Sequence, residues 1–380
     1  MRLSNFYFFY FATLGVFVPL WPVYLEREIG FSALQIGELM AIFMSSKIIS
    51  PLIFGWLIDH YGRRLETIRW VSVLTIICFA GILVESSFVW IAIIMFLFGF
   101  FWNASLPQFE AITLNYLHGN TDRYSSIRLW GSIGFIVTVI GTPLLLVWLG
   151  FEWFTIIMLL LLISISVSTY LVKDKTSPSH HASTPKASLR NVLKQPVIIA
   201  LLLACVLQQA SHGAYYTFFS LYLYEHHYSP NFTGAMWALG VIAEVALFLL
   251  VQPLMQRFHA YFLFSFSVLI TAIRWLLLAY GVDNTAILIF SQLLHAISYG
   301  LFHASAIQIV HQYFPDSLQG RGQALYAGLS FGLGGVIGGY SSGYLWESVG
   351  KTDTFIIAAS MAFLGWLVSL LLFRYKSASN

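Results

Sequence analysis

Charge is scarce in this chain. Asp, Glu, Lys and Arg make up 9% of its 380 residues, while 58% are hydrophobic and 17% aromatic; an ordinary soluble domain carries about a quarter charged residues. Too little polar side chain is present to coat a water-facing surface, which excludes a soluble globular domain. Cysteine is nearly missing. Cys78 and Cys205 lie far apart in apolar runs, which excludes a disulfide framework or a cysteine metal site and leaves them as buried packing residues. A formal net charge of +3 is too small to point to nucleic acid, and no such partner is expected. The chain also lacks a metal-ligand cluster, a Ser/His/Asp arrangement and a cofactor motif. Neither metal nor cofactor is expected, and an enzyme is not expected either.

Apolar runs are abundant. They fall near 5–25, 33–57, 68–85, 88–116, 128–149, 152–172, 196–224, 230–256, 261–281, 285–312, 319–346 and 353–374, each close to the roughly 20 residues of helix that cross a bilayer. Backbone polar groups in hydrocarbon are satisfied only by helices or closed barrels, and these runs are too long and continuous for barrel strands. The expected fold is an all-α membrane protein of about twelve transmembrane helices. The first run, "MRLSNFYFFYFATLGVFVPLWPVYL", has an early Arg and an apolar core but no small-residue cleavage site, so it reads as an uncleaved span. With the N-terminus cytoplasmic, Arg2, Arg63, Arg64, Arg69, Arg123, Lys173 and Arg257 fall inside, and only Arg27 and Lys351 outside. That bias places both termini in the cytoplasm and the chain in the cytoplasmic (inner) membrane.

The one long polar connection, "KDKTSPSHHASTPKASLRNVLK", is rich in Ser, Pro, Lys and His and splits the spans six and six. It reads as a flexible linker, with His180 and His181 as linker residues rather than metal ligands. The expected organisation is an N-terminal six-helix bundle over 1–172, a cytoplasmic linker over 173–195 and a C-terminal six-helix bundle over 196–380. The halves resemble each other: "GFSALQIGELMAI" parallels "HYSPNFTGAMWAL" at an offset of 197, which sets Gly37 against Gly234 and Lys47 against Glu244. Two related bundles form a common transporter plan with the substrate site at the midplane. The glycines of "AGLSFGLGGVIGGYSSGY", among them Gly328, Gly332 and Gly335, read as small-residue spacing for close helix packing.

Several ionisable residues lie inside these spans. Glu244 sits in "GVIAEVALFLL", an otherwise apolar run, where a charge at a helix centre costs roughly 2.5 to 3.5 kcal/mol. It must face a polar interior, pair, or take up a proton. Lys47, Glu110, Arg128, His212, Arg274, His295 and His303 are similarly placed, and together they argue for a shared aqueous cavity. His295, Tyr299 and His303 are four apart and form one stripe. Gln208, His212 and Tyr215 form another, flanked by Tyr216. Expected substrate-binding residues are Lys47, Glu110, Arg128, His212, Tyr215, Tyr216, Trp237 and Tyr299; expected proton-coupling residues are Glu244, Arg274, His295 and His303. A static ion pair is the alternative role for Glu244.

The stretch "GWLIDHYGRR", with Gly55, Asp59, Gly62, Arg63 and Arg64, resembles the signature loop of the major facilitator superfamily, which stabilises one state of the alternating transport cycle. Further segments, "FWNASLPQFEAI", "RLWGSIGF", "GVIAEV", "AIRWLLL" and "LLHAISYG", are similar to the phenylpropionate permease family and, more distantly, to lactose permease and other oligosaccharide/proton symporters. The resemblance covers nearly the whole chain. It implies that Glu110 and Arg128 match the pair that holds sugar in lactose permease, Glu244 its glutamate that contacts sugar and couples to protonation, and Arg274 and His295 the arginine and histidine of its proton network. One departure stands out: Ser298 occupies the position of that protein's protonation carboxylate, three residues after the histidine.

If both glutamates are paired or protonated, one positive charge among Lys47, Arg128 and Arg274 is left for an anion. With the aromatic side chains of Trp130, Tyr215, Tyr216, Trp237 and Tyr299, this favours proton-coupled symport of a small aromatic carboxylate such as 3-phenylpropionate. A sugar or nucleoside symporter is the second reading, and a transporter-like sensor or passive facilitator the third. The expected partners are a small-molecule substrate, protons and membrane lipid, and the expected state is a monomer.

Overall fold

The computed structural model describes residues 2–117, 121–173, 188–315 and 318–376, without the side chains of 59, 121, 122 and 374–376. Every regular element among the described residues is helical. Among the described residues, eleven helices are long and apolar enough to cross a membrane. They are α1 (Arg2–Ile29), α2 (Ala33–Ile58), α3 (Arg64–Leu83), α4 (Phe88–Tyr116), α5 (Arg123–Leu149), α6 (Phe151–Tyr170), α7 (Pro196–Glu225), α8 (Pro230–Arg257), α9 (Ala260–Gly281), α10 (Thr285–Tyr313) and α12 (Lys351–Phe373). Between the last two, residues 319–348 form a further continuous helix, α11, in which a π-helical segment, Gly328–Gly334, separates two α-helical ones. Its opening "QGRGQALYA" and its Gly/Ser content make it less apolar than the others. Most of the expected linker, including His180 and His181, lies outside the described residues.

The chain divides into two compact units, Met1–His180 with Thr217–Ala238, and His181–Tyr216 with Leu239–Asn380. In the first, α1 packs on α5 and α6, α2 on α4, and α3 on α4 and α6. In the second, α7 packs on α11 and α12, and α9 on α10 and α12. The partners of α7 and α9 thus stand six helices after those of α1 and α3, so the internal repeat is present in the packing of each unit. Aromatic side chains fill the first: Phe6 stacks on Phe109 at 3.7 Å, and Phe17, Phe43, Phe98 and Trp102 surround one another at 4.9 to 5.9 Å.

The signature loop follows from local chemistry. Gly62 ends the second helix with φ +69°, donating its N–H to Ile58 O at 2.8 Å, a left-handed cap that glycine adopts at no steric cost. Arg63 pairs with Glu66 at 3.5 Å on the exposed side of the next helix, whereas Arg64 keeps Nε without a partner. Gly55 has open space around it. The side chain of Asp59 lies outside the described residues.

Close backbone approach in the glycine-rich helix is made by Gly334 and Gly338, one turn apart. A Cβ on Gly334 would stand 2.8 Å from Val206 O, and one on Gly338 would stand 3.0 Å from Gly213 Cα while colliding with Ala210 O. Gly328, by contrast, faces open space. Because the obstructing atoms at Gly338 are backbone, Gly338→Val is expected to separate α7 from α11 and destabilise the protein by about 1 to 3 kcal/mol. Thermal unfolding in detergent measures this; a variant melting with the wild type would show that the two backbones can part freely.

Candidate functional site

Two groups of ionisable side chains lie within the spans, one in each unit. In the first, Glu110 of α4 faces Arg128 of α5 at 3.7 Å, both about one third exposed. Arg128 lies over the Phe11 ring at 3.9 Å and the Tyr7 ring at 5.7 Å, so α1 supplies an aromatic wall to the pair. Tyr124, one turn before Arg128, hydrogen-bonds Glu110, and the Tyr7 hydroxyl donates to Thr113 Oγ1 at 3.0 Å. A guanidinium held this way keeps donors free of its carboxylate, because an Arg fork has five and a single ion contact uses few.

Lys47 belongs to the same unit and is differently situated. It is half-buried on α2, with Nζ 5.8 Å from the centre of the Phe43 ring, and among the described residues no carboxylate comes within ion-pair distance of it. Its neighbours Ser46 and Ser50 tie α2 to α4: Asn103 Nδ2 donates to Ser46 Oγ at 3.0 Å and Ser50 Oγ to Phe100 O at 2.5 Å.

The second group centres on Arg274 of α9, which is 0% exposed. Its Nε donates to Ser291 O at 2.9 Å, its Nη2 to Gln292 Oε1 at 3.3 Å, and its Nη1 to Ser298 Oγ at 3.3 Å and His295 Nδ1 at 3.1 Å. The guanidinium also lies against the rings of Tyr215 and Trp275, at 4.3 and 4.6 Å from the ring centres. Tyr215 also donates to Gln292 Oε1 at 2.9 Å, so one amide oxygen fixes both the arginine and its aromatic lid. His295 Nε2 in turn stands 3.6 Å from Glu244 Oε2. The lack of a side chain at Gly240 and Gly300 makes this possible: α8 crosses α10 where His295 covers Gly240 and Glu244 covers Gly300.

This geometry assigns the protons. An arginine has no acceptor, so the His295 nitrogen facing it must be the lone-pair one. In the neutral ring the hydrogen is then on Nε2, directed at Glu244. Arg274 and Glu244 are thereby joined through the His295 ring, which accepts from the guanidinium at Nδ1 and turns Nε2 to the carboxylate. Ser298 meets Arg274 where a carboxylate would have neutralised it directly.

Residues 296–301 of α10 form a π-helical turn. The wider turn releases the Ser298 carbonyl, which accepts from Gln208 Nε2 at 2.8 Å; the same amide reaches Thr271 Oγ1 at 2.6 Å. Such turns recur at functional sites. The expected stripe of α10 is nonetheless continuous: His295 stacks on Tyr299 at 5.3 Å, Tyr299 on His303 at 6.4 Å, and His303 Nδ1 shares a 2.9 Å hydrogen bond with the Tyr326 hydroxyl. His212, at the break between two helical segments of α7, lies against Trp275, Tyr216 and Tyr299. Trp237 is placed elsewhere, in the first unit, donating to Ser220 Oγ at 3.0 Å, and Trp130 is 46% exposed.

Sequence reasoning passed over Ser291, Gln292, Thr271 and Trp275, and in the first group Tyr7, Phe11 and Tyr124. Gln292 carried a usable signal, as an amide one turn before His295 in an apolar run.

An all-helical chain with an Arg–Glu pair and an Arg–His–Glu chain inside its spans is the build of a membrane transporter. The pattern of the MFS_1 like family matches residues 1–357, so the chain belongs to that family, and it is an integral membrane secondary transporter of the major facilitator type rather than an enzyme. It is 26% identical over 364 residues to the "Probable 3-phenylpropionic acid transporter" of Escherichia coli (strain K12), covering 93% of this chain and 92% of that protein. To the "Maltose permease" of Geobacillus stearothermophilus it is 25% identical over 380 residues, covering 99% and 95%. Among solved structures, a mutant of the nucleoside transporter NupG superposes with a TM-score of 0.87 at 16% identity, over 98% of this chain and 99% of that one.

Proposed function

We propose that this protein is a proton-coupled symporter of a small aromatic monocarboxylate of the 3-phenylpropionate type, working by alternating access in the cytoplasmic membrane with both termini inside. The observation that carries the reading is Lys47. Arg128 has Glu110 at 3.7 Å and Arg274 is joined to Glu244 through His295, whereas Lys47 has no carboxylate partner among the described residues. An ammonium in an apolar helix is costly, and a cargo carboxylate supplies the missing charge. Lys47, Glu110 and Arg128 then serve binding from residues 1–172, and His212, Tyr215, Tyr216 and Tyr299 from residues 196–380, with Trp237 as a supporting aromatic. Glu244 carries the proton, and Arg274, His295 and His303 position it. The loop of Gly55, Asp59, Gly62, Arg63 and Arg64 stabilises one state of the cycle.

The Glu110–Arg128 pair, flanked by aromatic rings, favours a second reading, a sugar or nucleoside cargo, in keeping with the names of the maltose and nucleoside relatives. Proteoliposomes with an alkaline interior decide among the readings. Accumulation of 3-phenylpropionate above the outside concentration, abolished by an uncoupler, is expected. Equilibration alone would indicate a facilitator, and absence of flux for acids, sugars and nucleosides alike a sensor. Lys47→Met is expected to weaken acid binding by about ten- to a hundredfold, the worth of one charged hydrogen bond at about 1.5 to 3 kcal/mol. An unchanged half-saturation concentration would remove Lys47 from the site.

A further inference from the structure

We propose that His212 Nε2 and Gln208 Oε1 form an acceptor subsite for a hydroxyl on the cargo, so that the favoured substrates are aromatic monocarboxylates whose ring bears a hydroxyl group. The inference rests on the aromatic-acid reading above and narrows it.

Both side chains are 0% exposed, one turn apart on α7. His212 Nδ1 stands 2.9 Å from the Gln208 carbonyl oxygen, which can only accept, so Nδ1 carries the hydrogen and the neutral ring presents a lone pair at Nε2. The Gln208 amide is fixed in the same way. Its Nε2 donates to the Ser298 carbonyl, which cannot donate, so Oε1 is the acceptor on the other side. Among the described residues neither His212 Nε2 nor Gln208 Oε1 has a partner. Buried polar atoms are satisfied in the great majority of cases, and leaving one dry costs about 1 to 3 kcal/mol.

The surroundings select what completes them. Trp275 meets the His212 ring edge-on at 4.9 Å, Tyr216 lies at 5.7 Å and Tyr299 at 6.3 Å, so the walls are aromatic. The Trp275 N–H is already given to Ser211 Oγ at 3.1 Å. A cation is a poor occupant, because the Arg274 guanidinium lies 4.6 Å from the same Trp275 ring. A neutral donor on a flat apolar body suits these walls: a phenolic hydroxyl, whose one hydrogen pairs with one of the two acceptors at a time. A site built to bond a hydroxyl rejects the analogue without it, since the acceptors are then left unpaired.

The test is equilibrium binding of 3-(4-hydroxyphenyl)propionate and 3-phenylpropionate to the purified full chain, read by intrinsic fluorescence. The wild type is expected to bind the hydroxylated acid about tenfold more tightly. His212→Phe is expected to bring the ratio of the two affinities close to one, and His212→Asn, which retains an acceptor, to keep part of the preference. Equal binding of both acids by the wild type, or a preference that survives His212→Phe, overturns the inference and leaves these atoms to an internal water. Binding of neither acid overturns the aromatic-acid reading itself and the inference with it.

Discussion

Vesicles carrying Glu244→Gln are expected to equilibrate cargo without concentrating it, while exchange of labelled for unlabelled cargo continues. With one proton per cargo, a gradient of one pH unit is worth about 1.4 kcal/mol and supports about a tenfold accumulation. The variant should bring that ratio to one. The reason lies in the proton assignment around His295, whose Nδ1 accepts from Arg274 at 3.1 Å and whose Nε2 faces Glu244 at 3.6 Å. A second proton on this ring would meet a guanidinium, which under the proposed coupling leaves the carboxylate as the group that changes charge. Glutamine keeps the shape and the hydrogen-bonding capacity of the protonated acid but never ionises. Full accumulation by the variant would move the coupling site elsewhere.

Arg274→Met is expected to cost about 3 to 5 kcal/mol of stability, the range for removing one member of a buried charged network. The guanidinium donates to Ser291 O, Gln292 Oε1, Ser298 Oγ and His295 Nδ1, and all four would lose that donor at once, Gln292 Oε1 retaining only Tyr215. Arg274→Lys is expected to recover little, because an ammonium cannot reproduce the planar fork or its contacts with the Tyr215 and Trp275 rings. Thermal unfolding in detergent compares the three proteins. If Arg274→Met melts with the wild type, the network is ornamental to stability and the residue is retained for transport alone.

Much of this was legible in the chain before folding. The run at 88–116 coincides with α4 at both ends, and most other helix ends differ by a few residues. The first helix runs on to Ile29, beyond the apolar run at 5–25, because a π-helical turn continues it through the charged "LEREI". Glu244, Arg274 and His295 stood out because ionisable groups are rare in apolar runs, and the structure brings those three together. Lys47 and Glu244 are matched by the sequence repeat, yet Glu244 has a histidine partner and Lys47 has no carboxylate partner among the described residues, so the repeat does not predict pairing. Ser291 and Gln292 escaped notice because neutral polar residues are ordinary in helix contacts. The π turn at 296–301 was illegible, since it is stabilised by Gln208 and Thr271 from distant parts of the chain.

That turn carries one residue more than an α-helical turn would hold, and the surplus is local. Were it to relax to regular α-helix, everything beyond it would rotate by about 100°, the angle one residue subtends in a helix. His303 would swing away from Tyr326 while His295 stayed opposite Arg274. The helix therefore contains its own swivel, by which its far end can turn without disturbing the ring that links the buried acid to the buried base.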